Sequence, residues 1–163
     1  LCRFMPNSRS AINPARFHGQ SALYADAAPF LVCNESSLSQ LNKALETPVP
    51  MTRFRPNIVI RELSAFEEHN TERLVFATSS AASSEMERQV PQIRIIDHCQ
   101  RCIMISVDAQ SGHYVDGKHI MQTLARMNAM PDNAKAPAFG ANAILEGITN
   151  VELRVGQVLS AYQ

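Results

Sequence analysis

The sequence predicts a mostly β domain with flanking helices, largely antiparallel and barrel-like. Three observations lead there. Short apolar or β-branched runs recur along the chain between Pro, Asn, Gly and Asp boundaries. Only two stretches repeat apolar residues at helical spacing. Few strand-like runs are separated by a helix, so parallel crossovers cannot be the main connection.

The first strand is "PFLVC", residues 29 to 33, which runs into "NESSLSQLNKALE". Asn34 or Ser36 is placed to cap a helix there, and Leu38, Leu41 and Leu45 recur on one face until Pro48 and Pro50 stop it. "NIVI" (57 to 60), "RLVF" (73 to 76), "QIRII" (92 to 96) and "CIMISV" (102 to 107) read as strands, and "DAQSGH" as a turn. The tract 78 to 90, "TSSAASSEMERQV", reads as a solvent-facing loop. The second helix is "KHIMQTLARMNAM", with Ile120, Leu124 and Met127 on one face, ending in a loop "PDNAKAP". Strands near Ala143 to Leu145 and Val151 to Leu159 close the chain.

At 163 residues the chain is long enough to bury one core, and it is read as one domain. Fifteen basic residues balance fifteen acidic ones, which argues against nucleic acid as a partner. No run approaches the roughly eighteen apolar residues of a membrane span. The opening "LCRFMPNSRS" has neither a methionine nor a signal-peptide core, so Leu1 is read as the edge of a fragment, with any upstream targeting segment out of view. Four dispersed cysteines, Cys2, Cys33, Cys99 and Cys102, suit the cytoplasm or another reducing compartment better than a disulfide scaffold.

Chemistry concentrates in two stretches. "CQRC" (99 to 102) spaces two cysteines three apart with Arg101 between them. A redox pair would open a helix, whereas a strand pattern follows here, and iron–sulfur ligation needs four ligands. Two ordinary buried thiols remain one reading. The other is a single metal-binding thiolate with Arg101 stabilising negative charge beside it. In "RFRPNIVI" (53 to 60), Arg53 and Arg55 would share a face of an extended chain and converge on one anion, with Asn57 offering a donor and an acceptor. A solvated strand end with two surface arginines explains the same residues. Gly140 in "AFGANAI" suits a close backbone approach or a bend. Asp26 alone reads as a turn aspartate, and "FEEHN" (66 to 70) as an exposed charged segment.

Taken in order, "ADAAPFLVCNESSLSQLNKAL", "RFRPNIVI", "FEEHN", "CQRCIMISVDAQSGH", "MQTLARM", "FGAN" and "LRVGQVL" resemble a MOSC domain, the C-terminal domain type of molybdenum cofactor sulfurases. The likeness runs from about residue 20 to 160 and is strongest to the branch holding the mitochondrial amidoxime-reducing component and its bacterial β-barrel relatives. It implies a MOSC-type β-barrel, a single domain over 1 to 163, and an N-terminal β-barrel subdomain upstream of it.

The resemblance further implies molybdenum cofactor (Mo-molybdopterin). By match to the family's motifs, Cys102 would be the metal ligand and catalytic residue. Cys99, Gln100 and Arg101 would line the cofactor, Arg55 and Asn57 would hold its pterin and phosphate arm, and Asp26 and Ala27 match a further binding position. The implied reaction is reduction of small N-hydroxylated compounds, with electrons from a haem or iron–sulfur protein. The alternatives are a non-catalytic carrier or sulfuration module serving a cofactor-delivery protein, and a degenerate interaction domain. A family-level association with pyridoxal phosphate accompanies the resemblance.

Overall fold

The structure is a computed structural model that describes residues 27–76, 90–108, 110–115, 119–147 and 152–163. Among these residues the chain is mostly strand with two α-helices, the class the sequence predicts. The chain divides into two compact units, 31–70 with 97–142, and 1–30 with 71–96 and 143–163.

The first unit holds both helices. Strand β1 (Phe30–Asn34) delivers Val32, Cys33 and Asn34 to the interior, all fully buried. Helix α1 (Glu35–Lys43) starts where Asn34 Oδ1 accepts the Ser36 N–H at 3.1 Å, which satisfies one of the free N–H groups of the first turn. Strand β2 (Ile58–Ile60) pairs with β1, Cys33 lying opposite Val59. This pair is parallel, against the antiparallel expectation, because α1 and the segment after it supply a crossover. Helix α2 (His119–Met127) buries Ile120 and Leu124 against Leu41 and Leu45 of the α1 segment and against Phe54, Ile105 and Phe139.

A short and a long strand follow α2. Strand β5 (Ala129–Met130) turns into β6 (Asn133–Glu146), to which it pairs antiparallel. Thus "PDNAKAP", expected as a loop, is mostly strand. Its polar start is the solvent-exposed end of β6, and burial begins only at Ala136. Of the two expectations for Gly140, the structure shows the close approach. Its φ is +73°, and a Cβ there would stand 2.6 Å from Cys33 Sγ and 2.7 Å from the Val32 carbonyl. Only a glycine lets β6 lie that close to β1.

In the second unit, β3 (Arg73–Phe76) lies between β4 (Gln92–Gln100) and β7 (Leu159–Tyr162), antiparallel to both. Leu74, Phe76, Ile93 and Ile144 are buried there. The last strand sits later than expected, since 152–158 are exposed and not in strand. The tract 78 to 89, expected as a loop, lies outside the described residues. Strands β4 and β6 each run through both units.

Candidate functional site

Beyond Gln100 the chain does not continue as the expected strand. Residues Ile103–Ser106 form a 3-10 turn entered from Cys102, whose φ and ψ of −101° and 175° are extended. The β-branched content of "CIMISV" is used for packing: Ile105 is buried in the core with Phe54 and Ile120. Extended pairing resumes only at Val107, which bridges Tyr114 across the Asp108 turn. Asp108 Oδ1 accepts the Ser111 N–H at 2.8 Å and the Ser111 hydroxyl at 2.9 Å. These bonds, with Arg53 nearby, hold the Asp108 carboxyl below its ordinary range.

Arg101 joins the two motifs. Its backbone N–H donates to the Pro137 carbonyl of β6 at 2.8 Å, fixing the residue in place. One side-chain amino group, Nη2, donates to the Phe54 carbonyl at 2.9 Å, and the other, Nη1, to Cys99 Sγ at 3.1 Å. The guanidinium carbon lies 5.7 Å from the Phe54 ring centroid, close enough for a cation–π attraction. Phe54 in turn stacks on Phe139, centroids 3.8 Å apart. Burial pushes the Cys99 thiol up, and Arg101 works against that shift. Cys33 is pushed up by burial more strongly still. Cys102, by contrast, is exposed, and all three thiols are free.

The "RFRPN" stretch takes an unexpected form. Met51–Phe54 is a 3-10 turn, and Arg55 ends it in the left-handed region at φ 57° and ψ 48°. Arg53 and Arg55 therefore do not share a strand face. Arg53 is buried and pairs with Asp108 at 3.3 Å, while Arg55 is exposed. Asn57 locks the end of the turn to β1: its Oδ1 accepts the Leu31 N–H at 2.8 Å, and its own N–H donates to the Leu31 carbonyl at 3.0 Å. A cavity of about 490 Å³ is lined by Arg53 from this stretch, by Ile105 and Ser106 from the turn after Cys102, and by Val49 and His119.

The structure thus brings Arg55, Asn57, Cys99, Gln100, Arg101 and Cys102 into one unit, with the Arg101–Phe54 bond linking the two stretches. Ala27 is exposed and belongs to the other unit, and Asp26 lies outside the described residues. The donor set suits an anionic ligand carrying a metal that accepts a thiolate. Arg101 Nε is buried without an acceptor, Arg55 and Gln100 are exposed donors, and the Cys102 thiol faces solvent.

Sequence reasoning missed a buried polar cluster in the same unit. Glu68 of "FEEHN" is fully buried, not exposed. Its carboxyl accepts the Ser37 hydroxyl at 2.8 Å and the Asn34 amide at 3.3 Å, and burial raises its pKa. Beside it, His69 Nδ1 meets the Asn128 amide nitrogen at 3.1 Å, and Nε2 meets the Gly140 carbonyl at 2.9 Å. The same Asn128 nitrogen donates to the Ala138 carbonyl at 2.9 Å, so it is the N–H end that faces the imidazole. His69 is therefore the neutral tautomer with its proton on Nε2. The signal available in sequence was Asn34 and Ser37 flanking the helix start, which mark polar groups pointing into the interior.

Comparison with known proteins gives the family of the chain. The family model described as MOSC domain matches residues 19–160. The mitochondrial amidoxime reducing component 2 of Bos taurus is 31% identical over 147 residues, covering 87% of this chain and 40% of its own length. The mitochondrial amidoxime-reducing component 1 of Homo sapiens is 32% identical over 128 residues, 76% of this chain and 34% of the relative. A molybdenum cofactor sulfurase of Caenorhabditis briggsae is 36% identical over 91 residues, 55% of this chain and 11% of the relative. The chain spans well under half the length of these relatives.

Proposed function

The chain belongs to the MOSC domain family, and from that premise we infer that it binds molybdenum cofactor and reduces small N-hydroxylated compounds. The observation that supports this reading best is the pair of Arg101 bonds, to the Phe54 carbonyl and to Cys99 Sγ, which tie the exposed Cys102 to the stretch that ends in the exposed Arg55. Cys102 is the proposed metal ligand and catalytic residue. Arg55 and Asn57 would take the pterin and its phosphate, while Cys99, Gln100 and Arg101 would line the cofactor.

When bound, the cofactor supplies the two-electron redox chemistry, with electrons delivered by a haem or iron–sulfur protein. The chain's own contribution is positional and electrostatic. Cys102 offers an exposed soft donor, and Arg55 adds a permanent positive charge. Arg101 keeps the entry to the 3-10 turn fixed through its Pro137, Phe54 and Cys99 contacts, so the Cys102 backbone is held before any ligand arrives. The stretch shared with a molybdenum cofactor sulfurase supports a second reading, a module that holds the cofactor for transfer.

The test is expression in a cofactor-competent host, followed by molybdenum and pterin analysis of the chain and of Cys102→Ala. Stoichiometric molybdenum lost in the variant, together with turnover of an amidoxime using an artificial electron donor, is the expected result. Molybdenum without turnover would favour the transfer module. A chain free of molybdenum and indifferent to Cys102→Ala would overturn both readings.

A further inference from the structure

A second concavity lies on the outer side of α2, where it faces the start of β6. Its volume is about 480 Å³, within the range of small-molecule sites. Met121 and Ala125 of the helix and Ala134 and Pro137 of the strand form its apolar walls. The space exists because alanines stand where the helix and strand face each other. Leucines at either position would fill it.

The rim has one sign of charge. Arg126 and Lys135 both line the groove, and no carboxylate does. Both are exposed, and neither has an ion pair among the described residues. Arg126 Nη2 is anchored to Thr123 Oγ1 at 3.2 Å on its own helix, which holds the guanidinium at the rim and leaves its other N–H groups for a ligand.

We propose that this groove binds an amphipathic anion, a small molecule with an aliphatic or aryl body ending in a carboxylate. The body packs between Met121, Ala125, Ala134 and Pro137, and the carboxylate meets Arg126 and Lys135 at the rim. Methionine's flexible thioether adapts to bodies of different shape. An isolated pair of surface cations would attract any anion weakly. The apolar walls restrict the ligand to one with both parts. Cys102 and Arg55 do not line the groove, although its Pro137 accepts the Arg101 N–H, and binding there needs no cofactor, so it is tested without the reductase reading.

The full chain is titrated with octanoate, octanol and octylammonium, following the Met121 methyl signal by NMR. Octanoate should saturate the signal, octanol should bind about tenfold more weakly, and octylammonium should not bind. Ala125→Leu, which fills the groove, should abolish octanoate binding. Arg126→Gln with Lys135→Gln should weaken it about tenfold and flatten its salt dependence. Thermal unfolding confirms that each variant folds, and if Ala125→Leu does not, the charge variant decides. Equal binding of octanol and octanoate would overturn the proposal, as would undiminished octanoate binding in a folded variant. Capture of an acetylated tetraglutamate peptide instead of octanoate would overturn it in favour of an acidic polypeptide.

Discussion

The imidazoles of His69 and His98 stack with centroids 4.0 Å apart and planes 17° from parallel. Asn128 meets His69 Nδ1 and the Gly140 carbonyl meets its Nε2, while His98 Nδ1 is buried with no partner. Burial lowers the pKa of both rings, and for His98 the neighbouring His69 adds to the effect.

A histidine whose pKa is lower folded than unfolded favours folding in its neutral form. The unfolded chain then takes up protons first as pH falls below the ordinary value near 6.5, and stability declines from there down to the lowered folded values. The melting temperature should therefore begin to fall as the pH drops below about 6.5. His98→Phe, which keeps a ring in the stack and removes one titrating group, should make that decline shallower in differential scanning fluorimetry. An unchanged slope would sink the assignment.

Glu68 should act with the opposite sign. Its raised pKa makes the protonated form the one the fold prefers, so its contribution is complete at low pH and fades as pH rises through the folded value. Glu68→Gln should flatten that fading above about pH 4.5. Glu68→Ala should cost about 1–3 kcal/mol in urea unfolding, because it strands the Ser37 hydroxyl proton in the interior and leaves Asn34 only its backbone acceptors.

Gly140→Ala should be among the most damaging single-methyl changes in the chain. The new Cβ meets Cys33 Sγ and the Val32 carbonyl, and the backbone is left-handed there. A loss of about 2–4 kcal/mol is expected from strain and overpacking combined. Gly112, also left-handed but with open space around it, provides the control: Gly112→Ala should cost only the conformational part. Equal losses at the two sites would show that the approach of β6 to β1 is not tight.

Arg101→Gln should slow alkylation of Cys99, since the guanidinium opposes the upward shift that burial imposes on that thiol. A reduction of about threefold or more in the iodoacetamide rate at pH 8 is the expected size. Mass spectrometry of the digested protein separates Cys99 from the exposed Cys102, which should react first in both proteins.

Elements with a strong local signal were legible from residues alone. Asn34, one of two cap candidates with Ser36, heads α1, and the buried Leu41, "RLVF" and the glycine at 140 also read from sequence, although α1 ends before Leu45. The failures share a cause, which is that tertiary packing overrode local preference. "CIMISV" has strand composition, yet burying Ile105 beside Phe54 and Ile120 requires the tighter 3-10 turn. "PDNAKAP" has loop composition, yet it is the wet end of a fourteen-residue strand. At the site, Cys102, Arg101 and Arg55 could be named from motifs. That Phe54 would supply the carbonyl joining them could not, because a backbone oxygen leaves no mark in a side-chain pattern.

Arg55 sits where a glycine would be more comfortable. Its left-handed backbone costs on the order of 1 kcal/mol or more, and nothing in the core recovers it, since the side chain is exposed. Arg55→Gly should therefore give a protein that melts higher and retains molybdenum less well. This one loop would then hold a trade between durability and ligand capture, and a screen for heat resistance alone would select against the very residue proposed to hold the cofactor.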